Sequence, residues 1–133
     1  MGKSLSTAER ARVIEALRAH GVVYALLFGS AARAELAYDS DIDVAVSAPG
    51  PLSGAQRYRL IGALAAATGR PIDLLDLRTA RGAVFARALR GTELFCDSVR
   101  AKGDALYRRL TLIEEDLNDS RRSFAMARAE MFR

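Results

Sequence analysis

A continuous apolar run, Val22 to Phe28, constrains the fold of this chain more than any other feature. It is short, contains β-branched and aromatic residues, and stops abruptly at Gly29-Ser30, which predicts a buried strand. Two similar runs, Ile42 to Val46 and Ile72 to Leu77, predict two more strands. Buried strands need other elements to cover them, so the segments between the runs are expected to supply helices.

Those intervening segments carry helix signals. Ser6 and Glu9 form a capping box that predicts the start of a helix, and Gly21 ends it. Strands that alternate with helices predict an α/β domain. The remaining predicted elements are helices over Ser53 to Ala67, Thr79 to Arg90 and Ser98 to Arg133, and a short strand over Thr92 to Phe95.

Composition narrows the class of protein further. The chain has 133 residues, of which 50% are hydrophobic and 27% charged, as expected for one globular domain. Its single cysteine, Cys96, excludes an internal disulfide framework, and no signal peptide or membrane span is visible, so we expect a cytoplasmic protein without membrane contact. The net charge is +4, but arginines alternate with acids and form no basic run, so no direct nucleic-acid binding is expected.

Two aspartates, Asp41 and Asp43, begin the second predicted strand, ten residues after Gly29-Ser30. They share one face of the strand, where their carboxylates repel unless a divalent cation is bound. Magnesium prefers oxygen ligands and usually takes one or two carboxylates together with substrate phosphates. Gly29 permits close approach of a ligand, and Ser30 at a predicted helix start offers free N–H groups to phosphate. The pattern predicts magnesium and phosphate in one site.

Gly-Ser, ten residues and Asp-x-Asp resemble the signature of the DNA polymerase β-like nucleotidyltransferase superfamily. The whole chain resembles its minimal (MNT) members, the antitoxins paired with HEPN toxins, most clearly over Leu26 to Val46. The resemblance implies a small mixed sheet flanked by helices, with a long C-terminal helix. Residues 1–97 would form the nucleotidyltransferase domain. Residues 98–133 would be a helical extension that belongs to the same domain or binds a partner.

The resemblance also implies a third carboxylate on the third strand, and Asp73 stands at the matching position. Asp76 is the other acid of that strand, but alternation turns it to the opposite face. We therefore expect Asp41, Asp43 and Asp73 to be the catalytic and metal-binding residues, with Asp73 as a ligand or general base. The expected nucleotide-binding residues are Gly29, Ser30, Arg33 and Ser40.

The segment after the Gly-Ser pair departs from the family pattern at one position. Family members usually have glycine after the motif arginine, and this chain has Ala34 after Arg33. If that position needs positive φ, alanine costs about 1 kcal/mol or more, unless the segment continues as helix. Arg33 itself either contacts phosphate or is an ordinary surface arginine.

The resemblance implies an enzyme with magnesium as cofactor and ATP as substrate. It would transfer AMP, with release of pyrophosphate, to a hydroxyl of a cognate HEPN ribonuclease toxin, tyrosine being the expected acceptor. One alternative is a small-molecule acceptor, although the antibiotic-modifying enzymes of this type usually carry an added acceptor-binding domain. The other alternative is a catalytically weak module that neutralises its partner by contact. Ala34 keeps this last interpretation open, and the three aspartates oppose it.

The predicted C-terminal helix carries a heptad-like seam of apolar and small residues at steps of four and three. A helix over Ser98 to Arg133 would be about 50 Å long, which exceeds the width of a domain of this size. Either it lies on its own domain and breaks near Asn118 to Ser120, or its distal part, Phe124 to Met131, contacts a partner protein or a second copy. The seam consists of Val99, Gly103, Leu106, Leu110, Ile113, Leu117, Ser120, Phe124, Ala127 and Met131.

Overall fold

The fold is described from a computed structural model over residues 5–29 and 41–131, with side chains omitted at 116 and 118–131. It contains four helices and four strands in these ranges, in the order that the sequence predicts. In chain order the elements are α1 (Thr7–Ala19), β1 (Tyr24–Phe28), β2 (Ile42–Ser47), α2 (Gly54–Thr68), β3 (Ile72–Asp76), α3 (Gly82–Leu89), β4 (Thr92–Cys96) and α4 (Val99–Met131).

The four strands form one mixed sheet in the order β3-β2-β1-β4. Strand β1 is antiparallel to both of its neighbours, β2 and β4, and β2 is parallel to β3. Every residue of β1 is buried, as the continuous apolar run predicts for an inner strand. The predicted small mixed sheet flanked by helices is confirmed.

Helices cover both faces of this sheet, and strand alternation decides which side chains meet which helix. On one face Ala25 and Leu27 pack with Leu17 of α1 and Leu64 of α2. On the other face Leu26 packs in a second cluster together with residues of α3 and α4. The second cluster includes Tyr24, Phe28, Ala45, Phe85, Ala88, Ala101 and Ala105.

The helix ends follow local hydrogen-bonding signals. The Ser6–Glu9 capping box is present, and Ser53 with Gln56 forms a second one at the start of α2. Helix α3 begins at Gly82, three residues after the predicted Thr79. The reason is a turn at the end of β3, in which the N–H groups of residues 79 and 80 donate to the carbonyl oxygen of Asp76.

Helix α4 runs without interruption from Val99 to Met131, which excludes the alternative with a break near residues 118–120. Its contact with the domain uses Ala101, Ala105 and Leu112, which are buried and lie outside the predicted seam. The distal side chains of the seam lie outside the described side chains. No helix in the described ranges combines the length and the apolar character that crossing a membrane requires.

Candidate active site

The candidate site lies at the end of the sheet where β1 ends and β2 and β3 begin. We call this end, with Gly29, Asp41, Asp43 and Asp73, the acidic edge. Asp43 of β2 is paired in register with Phe28, the last residue of β1, and with Asp73 of β3. Gly29 follows Phe28 directly, and Asp41 precedes β2 by one position. The end of β1, the start of β2 and the neighbouring strand β3 therefore bring these four residues together at one end of the sheet.

Strand alternation also places the acidic side chains on a common face. The neighbours of Asp43 along β2, Ile42 and Val44, point into the core formed with α1 and α2. In β3 the neighbours of Asp73 do the same, since Ile72 and Leu74 pack in that core. Asp43 and Asp73 thus point to the opposite face, the one covered by α3 and α4.

The electrostatics of Asp43 reflect this crowding. Burial raises the pKa of the Asp43 carboxyl, and so do the charge of Asp73, a side-chain hydrogen bond with Asp73 and the charge of Asp41. Arg87 of α3 acts in the opposite sense and lowers the pKa of Asp43. A partly buried carboxyl that faces two other carboxylates favours a proton or a bound cation over the bare ionised state.

Gly29 is packed directly against this carboxyl. Its φ is 65°, in the left-handed region that favours glycine. A Cβ atom added at Gly29 would lie 2.2 Å from Oδ2 of Asp43, so no side chain fits without displacing the carboxylate. The glycine after β1 thereby allows the chain to turn and keeps the acidic edge open.

Asp76, the other acid of β3, has a different environment. It is only 4% exposed, and its carboxylate accepts hydrogen bonds from the backbone N–H groups of Leu52 and Arg78. Asp76 therefore joins the loop before α2 to the turn after β3, on the face opposite to Asp43. Asp73, by contrast, is exposed and able to meet a substrate.

Arg87 is a site residue that the sequence does not single out. It lies in the last turn of α3, whose Phe85 and Ala88 pack against the sheet and so fix the position of the helix. No spacing or motif links an exposed arginine on a helix to an acidic strand 44 residues earlier (position 87 minus position 43). Only the packing of α3 near β1 reveals the proximity of Arg87 to Asp43.

The carboxylates of this site are ligands of the kind that magnesium prefers. Among the side chains that the structure describes, no three of His, Cys, Asp or Glu are grouped closely enough to hold a metal alone. Magnesium rarely uses an all-protein cage and takes one or two carboxylates plus phosphate oxygens, so the neighbouring carboxylates at this end of the sheet fit it. The remaining predicted site residues, Ser30, Arg33 and Ser40, lie outside the described residues, as does Ala34.

The family comparison agrees with this geometry. The sequence profile described as Polymerase beta, Nucleotidyltransferase matches residues 11–100, which contain all four strands and the acidic edge. The chain belongs to this nucleotidyltransferase family. The match covers more than half of the chain and includes every predicted site residue. A search of the curated proteins found no match.

Several solved structures with the same fold are toxin–antitoxin complexes. A toxin–antitoxin structure with AMP-PNP matches with a TM-score of 0.69 and 25% identity, over 92% of this chain and 98% of that one. A complex of tri-AMPylated Shewanella oneidensis HEPN toxin with MNT antitoxin matches with a TM-score of 0.66 and 23% identity, over 90% and 94%. An MntA–HepT complex matches with a TM-score of 0.64 and 23% identity, over 95% and 99%.

Proposed function

We propose that this nucleotidyltransferase is a cytoplasmic, magnesium-dependent antitoxin that transfers AMP from ATP to a tyrosine hydroxyl of a cognate HEPN ribonuclease toxin. The observation that carries the proposal is the pairing of Asp43 with Asp73 beside Gly29 at the open edge of the sheet. A protein acceptor is supported by the similar complex that contains an AMPylated HEPN toxin with its MNT antitoxin.

The residues at this edge would divide the chemistry between them. Asp41 and Asp43 would hold magnesium together with the triphosphate. When bound, the metal supplies charge neutralisation at the phosphates and at the attacking and leaving oxygens. Ser30, with Gly29, Arg33 and Ser40, would bind the nucleotide at the loop after β1.

Asp73 would act on the acceptor hydroxyl as a general base. Its side chain is exposed and lies next to Asp43, so a hydroxyl can reach both the base and the nucleotide. The hydroxyl oxygen forms a bond to the α-phosphorus, and the bond from that phosphorus to the bridging oxygen breaks. The proton goes to the Asp73 carboxylate, and pyrophosphate leaves. AMP remains attached to the acceptor.

The choice of a HEPN toxin as acceptor rests on the solved structures. One similar structure contains AMP-PNP, and another contains an AMPylated HEPN toxin with its MNT antitoxin. Residues 1–97 would form the catalytic domain in this arrangement. Residues 98–133, which include α4, would extend it and serve as a surface for a protein partner.

The test is transfer of label from ATP labelled at the α-phosphate to the cognate HEPN protein in the presence of magnesium. We expect labelled toxin and loss of its ribonuclease activity. Asp43→Asn should abolish labelling while the complex still forms, and a tyrosine-to-phenylalanine change in the toxin should remove the label site. Silencing of the toxin by intact protein without any label transfer would contradict the enzyme and favour neutralisation by contact.

A further inference from the structure

A cleft separates the first turns of α4 from the end of the sheet opposite to the acidic edge. Its outer part has a volume of about 350 Å³, and an inner recess of about 90 Å³ adjoins it. Arg78, Ala101 and Asp104 line both parts, so the two parts form one continuous cleft. Small-molecule sites begin at about 300 Å³, so the cleft is large enough for a small ligand.

Ser47, the last residue of β2, lines the inner recess. Its neighbour Val46 packs in the core with α1 and α2, so the Ser47 side chain points to the face covered by α3 and α4. Ser47 is only 3% exposed, and its hydroxyl has no hydrogen-bond partner within the described part of the chain. Every fully enclosed side-chain oxygen or nitrogen in that part has a partner, so the Ser47 hydroxyl must open into the recess. Buried hydroxyls normally have a partner, which a ligand in the recess would supply.

Two arginines are held at the recess with part of their hydrogen-bonding capacity unused. Nε of Arg78 donates to the carbonyl oxygen of Ala48 at 2.6 Å. Nη1 of Arg108 donates to the carbonyl oxygens of Leu77 and Ala80. A guanidinium group has more N–H donors than these bonds use, so both arginines retain donors that meet no acceptor among the described residues. The backbone contacts hold both groups in place, which lowers the entropy that is lost when an anion binds.

The charged side chains of the cleft leave an excess of positive charge. Arg78, Arg100 and Arg108 line it together with Asp104, which gives a net charge of +2 (three positive charges minus one negative). Arg100 and Asp104 lie one turn apart on α4, and yet neither forms an ion pair with any side chain that the structure describes. Both groups are therefore available to a ligand.

This set of groups fits an anion that also carries hydroxyl groups. A phosphate dianion matches the excess positive charge and accepts hydrogen bonds from guanidinium groups and from the Ser47 hydroxyl. The ionised carboxylate of Asp104 only accepts hydrogen bonds, so it requires a donor such as a sugar hydroxyl. Inorganic phosphate would leave Asp104 without a donor and beside a like charge.

We propose that this cleft binds a small phosphate monoester of a hydroxylated molecule, either a nucleotide or a sugar phosphate. The phosphate would lie between Arg78, Arg108 and the Ser47 hydroxyl. Hydroxyl groups of the ligand would donate to Asp104, and Arg100, which lines only the outer part, would add positive charge at the entrance.

The cleft is separate from the acidic edge. Ser47 lies four residues after Asp43 on β2 (position 47 minus position 43), which is about 13 Å along the strand. Between them on the same face lies Ala45, which is fully buried and packs in one cluster with Phe85 of α3. This packed cluster prevents a nucleotide at the acidic edge from reaching the cleft. The proposal goes beyond the proposed function and does not depend on it.

Isothermal titration calorimetry of the full chain without divalent cations tests the site, with ribose 5-phosphate, AMP and inorganic phosphate as probes. We expect ribose 5-phosphate to bind with a dissociation constant below about 1 mM and at least about tenfold more tightly than inorganic phosphate, since only the ester has a donor for Asp104. An AMP affinity that exceeds that of ribose 5-phosphate and falls in Asp104→Ala identifies a nucleotide as the ligand. Any other AMP result, with ribose 5-phosphate bound as expected, identifies a sugar phosphate.

Substitutions in the cleft should change these affinities in different directions. Ser47→Ala should weaken ribose 5-phosphate at least about threefold without loss of thermal stability, since the hydroxyl has no partner in the fold. Arg100→Ala should weaken both phosphates about threefold. Asp104→Ala should weaken ribose 5-phosphate about tenfold but tighten inorganic phosphate, because it removes a negative charge beside the anion. The matched control is Arg59→Ala, which removes an exposed arginine of α2 on the other face of the sheet and should leave all affinities unchanged.

Three results would overturn the proposal. The first is an intact chain that binds no ribose 5-phosphate up to about 10 mM, or binds inorganic phosphate equally well, which would indicate an adventitious ion only. The second is an affinity for ribose 5-phosphate that stays the same in Ser47→Ala and Asp104→Ala. The third is loss of ribose 5-phosphate binding in Asp43→Asn, which would place the phosphate at the acidic edge instead of the cleft.

Discussion

Asp43 of β2 and Asp73 of β3 are paired in the parallel register of the sheet, with their side chains on the same face. Two carboxyls in this arrangement can share one proton, but they repel when both are ionised. Burial and the neighbouring acids accordingly raise the pKa of Asp43. The folded chain thus holds two like charges together at this end of the sheet.

Asp43→Asn should make the protein more stable and inactive. Because the folded-state pKa of Asp43 is raised, the folded state binds the proton more tightly than the unfolded state does. Stability contributed by that proton is present at low pH and is lost as pH rises through the raised folded pKa. At pH 7 without magnesium, the substitution should raise the free energy of unfolding by up to about 1 kcal/mol, a small value since solvent screens the partly exposed group.

Denaturant melts of both proteins at neutral and at acidic pH would measure this effect. The difference in the free energy of unfolding between Asp43→Asn and the intact chain should shrink at acidic pH, where Asp43 keeps its proton. Asp97→Asn is a control of opposite sign, since the hydrogen bond and charge of Arg18 lower the pKa of Asp97. A loss of stability for Asp43→Asn at both pH values would contradict the repulsion.

Gly29→Ala should impair both stability and transfer. The alanine would adopt positive φ and place its Cβ against Oδ2 of Asp43, so we expect a loss of about 2 kcal/mol and at least a tenfold lower rate. Gly82→Ala is the matched control. Gly82 has a similar φ of 69°, but an added Cβ there meets no atom within 4 Å. It should lose about 1 kcal/mol and keep its activity; equal rates for the two variants would refute the contact.

Substitutions of the two acids of β3 should have opposite effects, one on activity and the other on stability. Asp73→Asn should abolish AMP transfer and leave the melting temperature unchanged or slightly raised, since Asp73 is exposed and its charge repels that of Asp43. Asp76→Asn disturbs a buried carboxylate that accepts two backbone hydrogen bonds, so we expect a loss of about 1–3 kcal/mol. Its folded fraction should retain transfer activity at low temperature. Labelling assays and thermal melts of both variants would measure these effects. An active Asp73→Asn variant would show that Asp73 is not catalytic.

The strands and most helix ends could be predicted because their signals are local. The apolar run before Gly29 and the capping boxes at Ser6 and Ser53 each act within a few residues of chain. The alternation of Asp73 and Asp76 along β3 also follows from the sequence alone. The start of α3 could not, since the carbonyl oxygen of Asp76 holds the preceding turn.

Two features depend on tertiary packing and could not be predicted from local patterns: the face of α4 that contacts the domain, and the proximity of Arg87 to Asp43. The steps of four and three along α4 gave a correct periodicity, but they did not say which stripe faces the domain. The domain accepts the smaller side chains of Ala101 and Ala105, which allow close packing, and leaves Leu106 and Leu110 outside. Arg87 is likewise near Asp43 only because α3 packs beside β1.

Arg87→Ala should shift the acid limb of the pH–rate profile for AMP transfer to higher pH. The positive charge of Arg87 lowers the pKa of Asp43, so its removal leaves the carboxyl protonated over a wider range. A protonated Asp43 cannot bind magnesium, so the variant should be slower than the intact chain at acidic pH. At alkaline pH the rates of the two proteins should differ less. Transfer rates measured from acidic to alkaline pH at saturating ATP would show the shift.

Two further variants distinguish this electrostatic effect from a loss of packing. Arg87→Lys keeps the charge and should return the acid limb close to its original position. Arg90→Ala removes an exposed arginine at the end of the same helix, outside the groups that act on Asp43, and should leave the limb unchanged. If Arg87→Ala lowers the rate equally at every pH, the guanidinium instead acts on the substrate, because loss of a phosphate contact carries no dependence on the proton of Asp43.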